Sequence, residues 1–246
     1  MRAVLATFDR ELRAYFFSPL AYVVLFFFLI VNGFIFAMII SFLNDPRSPG
    51  GPPLALFFGG TLFFWLILLF VGPVITMRLL SEELRSGSIE VLMTAPVTEG
   101  QVVAGKYLAA LTFYLFLWFP TLAYAGIVAH WSSVDWGPVA AGYVGILGIG
   151  AMFLAVGLFA SALSRSQLVA AIVTFAMLIF LFSFGLLENL INNETAKKVF
   201  GYMNLWDHMD EFAKGIVDSR RLVYYLSVTL FFLFLTSRAL ADKKWR

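Results

Sequence analysis

The sequence predicts an all-α polytopic membrane protein with six transmembrane helices. Hydrophobic residues make up 61% of the 246 residues and charged residues only 13%, well below the roughly 25% of charged residues in soluble domains. The apolar residues fall into six long runs, and a membrane-spanning helix needs about 20 residues. We therefore expect a single transmembrane domain over residues 1–246, with no separate soluble domain.

An amphipathic helix is predicted over residues 3–17, before the first span. Phe8 and Leu12 belong to its apolar face, while Asp9 and Arg13 lie on the polar face. This pattern is typical of a helix that lies in the membrane interface. An exposed tail with little stable structure is the alternative.

The six spans are predicted at 20–43, 54–77, 102–129, 138–163, 168–187 and 221–240. Ser18 and Pro19 supply a cap and a first helical residue for the first span. Pro73 predicts a kink near the end of the second span, and Pro120 lies inside the third span.

The fourth span has a face of small residues, which are Ala141, Gly145, Gly148 and Ala155. Small side chains let another helix approach closely, as is common between membrane helices. We expect this face to pack inside the bundle or across a subunit interface. The alternative is that the glycines only make the helix flexible.

The distribution of basic residues predicts the orientation in the membrane. An even number of spans puts both termini on one side, which has 11 Lys and Arg residues against 6 on the other side. Cytoplasmic loops carry the excess of basic residues. The termini are therefore predicted to be cytoplasmic, and the segment 188–220 extracytoplasmic.

Two groups of residues resemble chemical sites, and both have a simpler explanation. The run from Gly100 to Lys106 matches a phosphate-binding loop in spacing, but Tyr107 stands where such a loop needs Ser or Thr for magnesium. A second group could suggest a metal site: Asp207, His208, Asp210 and Glu211. Acidic residues also favour a helix N-terminus. We expect no catalytic, cofactor or metal site, and the net charge of +2 indicates no nucleic-acid partner.

The longest polar interruption is residues 77–106, which we expect to lie outside the lipid. Two short helices are predicted here, and Gly87 fits the left-handed position that ends the first. Thr98 and Gln101 have the spacing of a capping box that starts the next span. A pair of amphipathic helices at the membrane surface is suited to docking on a soluble partner.

The same residues carry a resemblance to a known family. Glu82-Glu83-x-Arg85-x-Gly87-Ser88-x-Glu90-Val-Leu-Met-Thr-Ala-Pro96, followed by Gly105-Lys106-Tyr107, resembles the cytoplasmic loop of type-2 ABC exporter (ABC-2) permeases. The order of six spans after an interfacial helix agrees with that family. The runs Phe212-Ala-x-Gly215-Ile-Val-Asp218 and Tyr224-Tyr225-Leu-Ser are similar to permeases associated with gliding motility and copper-enzyme maturation.

The resemblance implies that the transport pathway and the ATPase site belong to different subunits. Residues 80–94 would form the coupling helix, which docks on a separate ATPase subunit that holds ATP and magnesium, and residues 3–17 would form the elbow helix beside it. Two permeases, identical or homologous, would pair with two ATPases. The residues implied to face the ATPase are Glu82, Glu83, Arg85 and Glu90, with Gly87 setting the bend between the short helices.

The sequence therefore predicts a permease without its own ATPase site, in the cytoplasmic (inner) membrane of a bacterium. No ionisable residue lies near a span centre, which disfavours an ion-coupled transporter.

The alternatives are a non-transporting anchor that recruits an ATPase, or a membrane-embedded enzyme that modifies lipids. Besides the ATPase, a second permease and membrane lipid, an extracytoplasmic auxiliary protein is a candidate partner. The few polar groups inside the spans favour an apolar or lipid-linked cargo.

Overall fold

The computed structural model describes residues 2–48, 50–88, 97–188 and 193–244. Over these ranges the chain is helical without any β-strand, and six stretches are long and apolar enough to cross a membrane. The all-α class and the number of spans are therefore confirmed. In chain order the described helices are α1 (Arg2–Phe16), α2 (Pro19–Leu43), α3 (Pro53–Phe57), α4 (Leu62–Thr76), α5 (Ser81–Ser86), α6 (Glu99–Trp118), α7 (Leu122–Trp131), α8 (Trp136–Leu163), α9 (Gln167–Glu188), α10 (Glu194–Tyr202), α11 (Leu205–Ala213) and α12 (Ser219–Lys244).

The second span is not the continuous helix that was predicted over 54–77. Helix α3 ends at Phe57, and α4 starts at Leu62 after a break that contains Gly59 with a φ of +100°. That conformation favours glycine, and a Cβ atom there would lie 2.7 Å from the Met209 side chain. Thr61 then caps α4 by accepting a hydrogen bond from the backbone N–H of Phe64. The helix breaks because α11 packs directly against the backbone at this point.

The third span begins as the sequence predicted and is interrupted at its proline. The Thr98 side chain accepts a hydrogen bond from the backbone of Gln101, and the Gln101 side chain bonds back to the backbone of Thr98, so the capping box is present. A 3-10 turn at Phe119–Thr121, around Pro120, separates α6 from α7. A proline removes one helical hydrogen bond, which accounts for the interruption.

Helix α8 is the central element of the bundle and packs against α4, α6, α9, α11 and α12. Its side chains from Met152 to Leu158 are almost completely buried. By contrast, α2 exposes large apolar side chains such as Phe26 and Phe34. The described part of the chain is therefore organised around α8, with α2 at the periphery.

The small residues of α8 permit close contacts within the chain. A Cβ atom on Gly145 would lie 2.9 Å from Met209 and Phe212 of α11, and one on Gly148 would lie 2.5 Å from the ring of Tyr225 in α12. In a membrane, such close approach supplies the packing energy that the hydrophobic effect supplies in water. This part of the face lies inside the bundle of the chain itself.

Helix α11 enters the bundle instead of lying on its surface. Met209 and Phe212 are fully buried, and the indole rings of Trp65 and Trp206 are stacked with centroids 5.4 Å apart. The segment predicted at 188–220 thus contains, in its described part, a short helix that closes one end of the bundle. The other end, where α1 and the end of α12 lie, is called the terminal end below.

Candidate functional site

Helix α5 forms the described part of the predicted coupling helix and lies at the terminal end. It ends at Ser86, and Gly87 follows with a φ of +73°, in the left-handed conformation that the sequence predicted. Residues 89–96 lie outside the described residues. The second half of the predicted helix 80–94, including Glu90, therefore stays a prediction.

A single serine of α8 fixes the start of α5. The backbone N–H groups of Leu80 and Ser81 both donate to the Ser161 hydroxyl oxygen, at 3.1 Å each. That hydroxyl in turn donates to the carbonyl of Met77 at 3.2 Å. The first N–H groups of a helix have no partner within the helix, so Ser161 serves as its cap from a distant part of the chain.

Four charged side chains from three helices form an ion cluster at this end: Arg10, Glu11, Glu83 and Lys106. The Lys106 ammonium lies 2.9 Å from a carboxylate oxygen of Glu11 and 2.9 Å from one of Glu83, and it donates to the carbonyl of Leu79 at 2.8 Å. Arg10 contacts the same two oxygens at 2.7 and 2.8 Å. The cluster therefore joins α1, α5 and α6 at one point.

The three described charges of α5 have different environments. Glu83 points into the ion cluster, and its side chain is 17% exposed, whereas Glu82 and Arg85 are exposed. The sequence predicted that all of these charges face a partner subunit. Glu83 instead pairs with Lys106 and Arg10 within the chain. Glu82 and Arg85 remain as the described candidates for docking.

The cluster shifts the protonation of Glu11. Burial opposes ionisation of this carboxyl, but the charges of Lys106 and Arg10 outweigh it, so that the pKa lies below the ordinary value of 4.5. The contribution of ionised Glu11 to the free energy of unfolding is present above about pH 4.5 and is lost as the pH falls through the lowered pKa. Glu11 is therefore ionised in the folded protein at neutral pH.

Helix α1 is held against the start of α6 by close packing. A Cβ atom on Gly105 would lie 2.7 Å from the Thr7 side chain and 2.9 Å from the carbonyl oxygen of Val4. Further along α1, the Tyr15 hydroxyl donates to the carbonyl of Ile75 at 2.7 Å. The predicted elbow helix is thus attached to two spans.

The run from Gly100 to Lys106 lies within α6, which begins at Glu99. A phosphate-binding loop instead joins a strand to the start of a helix and keeps its lysine for the phosphates. Here Lys106 is 1% exposed and is occupied by two carboxylates. The geometry gives this run a structural role in the ion cluster.

Sequence reasoning missed the pairing of Lys106 with Glu11 and Glu83. A signal was present, because Lys106 follows the apolar Val102 and Val103 on a spanning helix, and a buried ammonium requires a charged partner. The identity of that partner could not be read, since Glu11 lies 95 residues away in the sequence.

At the opposite end, a second polar cluster joins α11 to α12 around the fully buried His208. Its Nδ1 atom lies 3.0 Å from the Tyr225 hydroxyl, and its Nε2 atom lies 2.9 Å from Nη1 of Arg221. The Nε2 atom also lies 3.1 Å from the carbonyl oxygen of Tyr202, so both ring nitrogens have polar partners. Arg221 also makes a two-point ion pair with Glu211, at 3.0 Å for each contact.

These contacts do not form a metal site. Glu211 is engaged by Arg221, and Asp210 pairs with Lys214. Over the described ranges, no group of three or more metal-ligating side chains is close enough to hold an ion. His208 instead connects two helices of the opposite end.

Acidification is expected to destabilise the protein through His208. Burial and the charge of Arg221 lower its pKa from 6.5 to about 4, so the unfolded chain binds a proton that the folded chain excludes. The stability is complete above about pH 6.5 and falls as the pH decreases towards about 4, with a loss of about 2 kcal/mol at pH 5. The measurement is the unfolding temperature in detergent at about pH 7.5 and about pH 5.

Two variants make this pH experiment specific. His208→Gln should lose most of the change in unfolding temperature between the two pH values, because its side chain does not titrate. His130→Gln, which alters an exposed histidine, should keep the wild-type change. An equal change in wild type and His208→Gln would contradict the assignment.

Comparison with known proteins identifies the family of the chain. A family model described as ABC-2 family transporter protein matches residues 21–245, a range that covers the six spans except for the first two residues of the first span. No curated protein matches the chain. The chain therefore belongs to the ABC-2 transporter family, as a membrane component of an ABC transporter.

Proposed function

We propose that this chain is the permease subunit of an exporter driven by a separate ATPase subunit, which docks on α5 and the residues that follow it. The observation that carries the proposal is the attachment of α5 to the bundle. Its exposed Glu82 and Arg85 are available to a partner, while Glu83 on the same helix is tied to Lys106. A force applied to α5 would thus reach α1 and α6.

In the proposed mechanism, ATP-driven closure of the ATPase pair displaces α5. The caps from Ser161 transmit this displacement to α8, and the ion cluster transmits it to α1 and α6. A partner shifts such an equilibrium only if it binds the two conformations with different affinity. The ATPase must therefore hold α5 more tightly in one state of the bundle than in the other.

The polar groups inside the spans support a transport role in which the chain itself catalyses no reaction. Asn32, Thr76 and Thr174 are buried, and each donates to a carbonyl one turn earlier in its own helix. Such bonds engage these three side chains within their own helices, and none of the three is ionisable, as the groups that bind or relay an ion in ion-coupled transporters normally are. We infer that ATP hydrolysis in the partner is the energy source and that the cargo is apolar or lipid-linked.

The proposal also specifies the membrane, the orientation and the further partners of the transporter. The excess of basic residues on the terminal side supports cytoplasmic termini in a bacterial inner membrane. The exposed apolar side chains of α2, such as Phe26 and Phe34, are available to lipid or to a second permease copy or homologue. The similarity near Phe212 and Tyr225 supports a relation to the gliding-motility and copper-enzyme group, with an extracytoplasmic auxiliary protein as a further partner.

Reversing the two exposed charges of α5 tests the proposal. The double variant Glu82→Arg, Arg85→Glu should lose the ATPase subunit in a detergent pull-down and lower the stimulated ATP hydrolysis about tenfold, because both charges would repel their partners. Glu83 is left unchanged, since reversing it would disrupt the ion cluster. Membrane insertion should be unaffected.

The matched control is Asp242→Arg, a charge reversal at an exposed position near the end of α12. It should keep both the pull-down and the ATP hydrolysis. Wild-type activity in the double variant would rule out docking on α5. Retained ATP hydrolysis in the wild type without movement of any cargo would favour the non-transporting anchor.

A further inference from the structure

A polar cavity of about 410 Å³ lies at the terminal end, next to the ion cluster. It is bounded by α1, by the turn between α4 and α5, and by the start of α6. Its charged lining residues are Arg10, Glu11, Arg78, Glu82, Glu83 and Lys106. The lining thus contains three positive and three negative groups, and its net charge is close to zero.

Two of these six charges have no ionic partner. Arg10, Glu11, Glu83 and Lys106 neutralise one another within the ion cluster. Among the described residues, neither Arg78 nor Glu82 takes part in an ion pair. The cavity therefore presents one uncompensated positive group and one uncompensated negative group.

Arg78 is held in position by neutral groups. Its guanidinium carbon lies 5.1 Å from the centroid of the Tyr15 ring, and its nitrogen atoms contact the Ser18 hydroxyl at 3.3 Å and the carbonyl of Ala14 at 3.4 Å. These contacts orient the side chain without neutralising it. A guanidinium in this state is well suited to bind a phosphate.

A small apolar cleft of about 10 Å³ lies beside the cavity, next to the start of α2. Tyr15 and Arg78 line both spaces, and the cleft also contacts Leu20 and Val24 in the first turns of α2. Leu20 is 42% exposed, and Val23 beside it is 49% exposed, so this turn faces the lipid. Polar and apolar binding surfaces therefore adjoin at the membrane boundary.

We propose that this cavity binds the headgroup of a glycerophospholipid, with the phosphate on Arg78, the ammonium of an ethanolamine headgroup near Glu82, and an acyl chain on the lipid-facing surface of α2 along the exposed side chains of Leu20 and Val23. Basic pockets between membrane helices commonly hold lipid headgroups. An anionic headgroup without an ammonium would leave Glu82 uncompensated, and a free phosphate would not contact the exposed apolar side chains of α2. The inference rests on the cavity and shares only Glu82 with the proposed docking surface, so Arg78→Gln separates loss of the lipid from loss of the ATPase subunit.

The test measures which lipids stay bound to the full chain. The protein, with any subunit that accompanies it, is stripped of lipid and reconstituted in vesicles of equal parts phosphatidylethanolamine and phosphatidylglycerol, then re-extracted for lipid analysis. Phosphatidylethanolamine should be enriched over phosphatidylglycerol about tenfold, and Arg78→Gln should lower its retention about tenfold. Glu82→Gln should abolish the preference while total phospholipid stays constant.

Arg13→Gln is the matched control, because Arg13 is an exposed cation of α1 that does not line the cavity. It should retain lipid like the wild type. Size-exclusion profiles check that each variant folds. If Arg78→Gln does not fold, Glu82→Gln still tests the proposal, because Glu82 is exposed and its substitution is not expected to disturb folding.

Three results would overturn the proposal. The first is wild-type lipid retention in Arg78→Gln or an unchanged preference in Glu82→Gln. The second is an equal loss in Arg13→Gln, which would indicate general attraction to the membrane surface. The third is displacement of the lipid by an equal concentration of inorganic phosphate or soluble phosphoethanolamine, which would indicate a phosphate site without a lipid.

Discussion

Replacing Lys106 by methionine is expected to lower the free energy of unfolding by up to about 3–5 kcal/mol, because two partly buried carboxylates then keep only the half-exposed Arg10 as their cation. The Lys106 ammonium lies 2.9 Å from Glu11 and from Glu83, and its side chain is 1% exposed. Methionine has a similar length, so the change removes the charge with little change in packing. The measurement is the unfolding of the purified protein by denaturant in detergent.

The same substitution at Lys214 is the matched control. Lys214 pairs with Asp210, but both side chains are largely exposed, and exposed ion pairs contribute only about 0–1 kcal/mol. A second control adds Glu11→Gln and Glu83→Gln to Lys106→Met, which should recover most of the lost stability because only Arg10, whose side chain is half exposed, then remains charged in the cluster. Equal losses for Lys106→Met and Lys214→Met would contradict a structural role of the ion cluster.

A single methyl group at Gly150 is expected to destabilise the bundle by at least the roughly 1–3 kcal/mol that is typical of overpacking. A Cβ atom there would lie 2.2 Å from the ring of Tyr114. That ring cannot move freely, because Tyr114 is 2% exposed and its hydroxyl donates to the carbonyl of Ile146 at 3.0 Å. The unfolding temperature of Gly150→Ala in detergent measures the effect.

Gly126→Ala provides the comparison, since it adds the same methyl group to a helix. A Cβ atom at Gly126 would have no neighbour within 4 Å, and alanine is more favourable in a helix than glycine by about 1 kcal/mol. We expect Gly126→Ala to be as stable as the wild type or slightly more stable. Similar unfolding temperatures for the two variants would show that α6 and α8 do not pack as closely as described.

The features that the sequence predicted well depend on neighbouring residues. The apolar runs locate the spans because a helix must satisfy its own backbone in lipid. Thr98 and Gln101 form the capping box that their spacing predicted, and Gly87 adopts the left-handed conformation expected at a helix end. Each of these results depends on the chain within a few positions, where helix geometry leaves few alternatives.

The features that were missed depend on contacts between distant parts of the chain. The second span breaks at Gly59 because Met209 packs against it, and the two residues are far apart in the sequence. Glu83 was expected to face a partner, yet it pairs with Lys106. Glu82 and Glu83 are adjacent residues of the same polar run, so the sequence does not distinguish them. Only the three-dimensional arrangement shows that Glu83 points into the ion cluster.

The attachment of α5 to Ser161 has a mechanical consequence. Ser161 is near the end of α8, a helix of 28 residues that is about 42 Å long at 1.5 Å per residue. A rod of this length acts as a lever, so a tilt of about 5° moves its far end by about 4 Å. Gly145, which touches Met209 and Phe212, lies about 24 Å from Ser161 along this helix, so the same tilt moves it by about 2 Å. In the proposed mechanism, the Ser161 hydroxyl would thus carry a displacement of α5 to the contacts of α11 at the opposite end of the bundle.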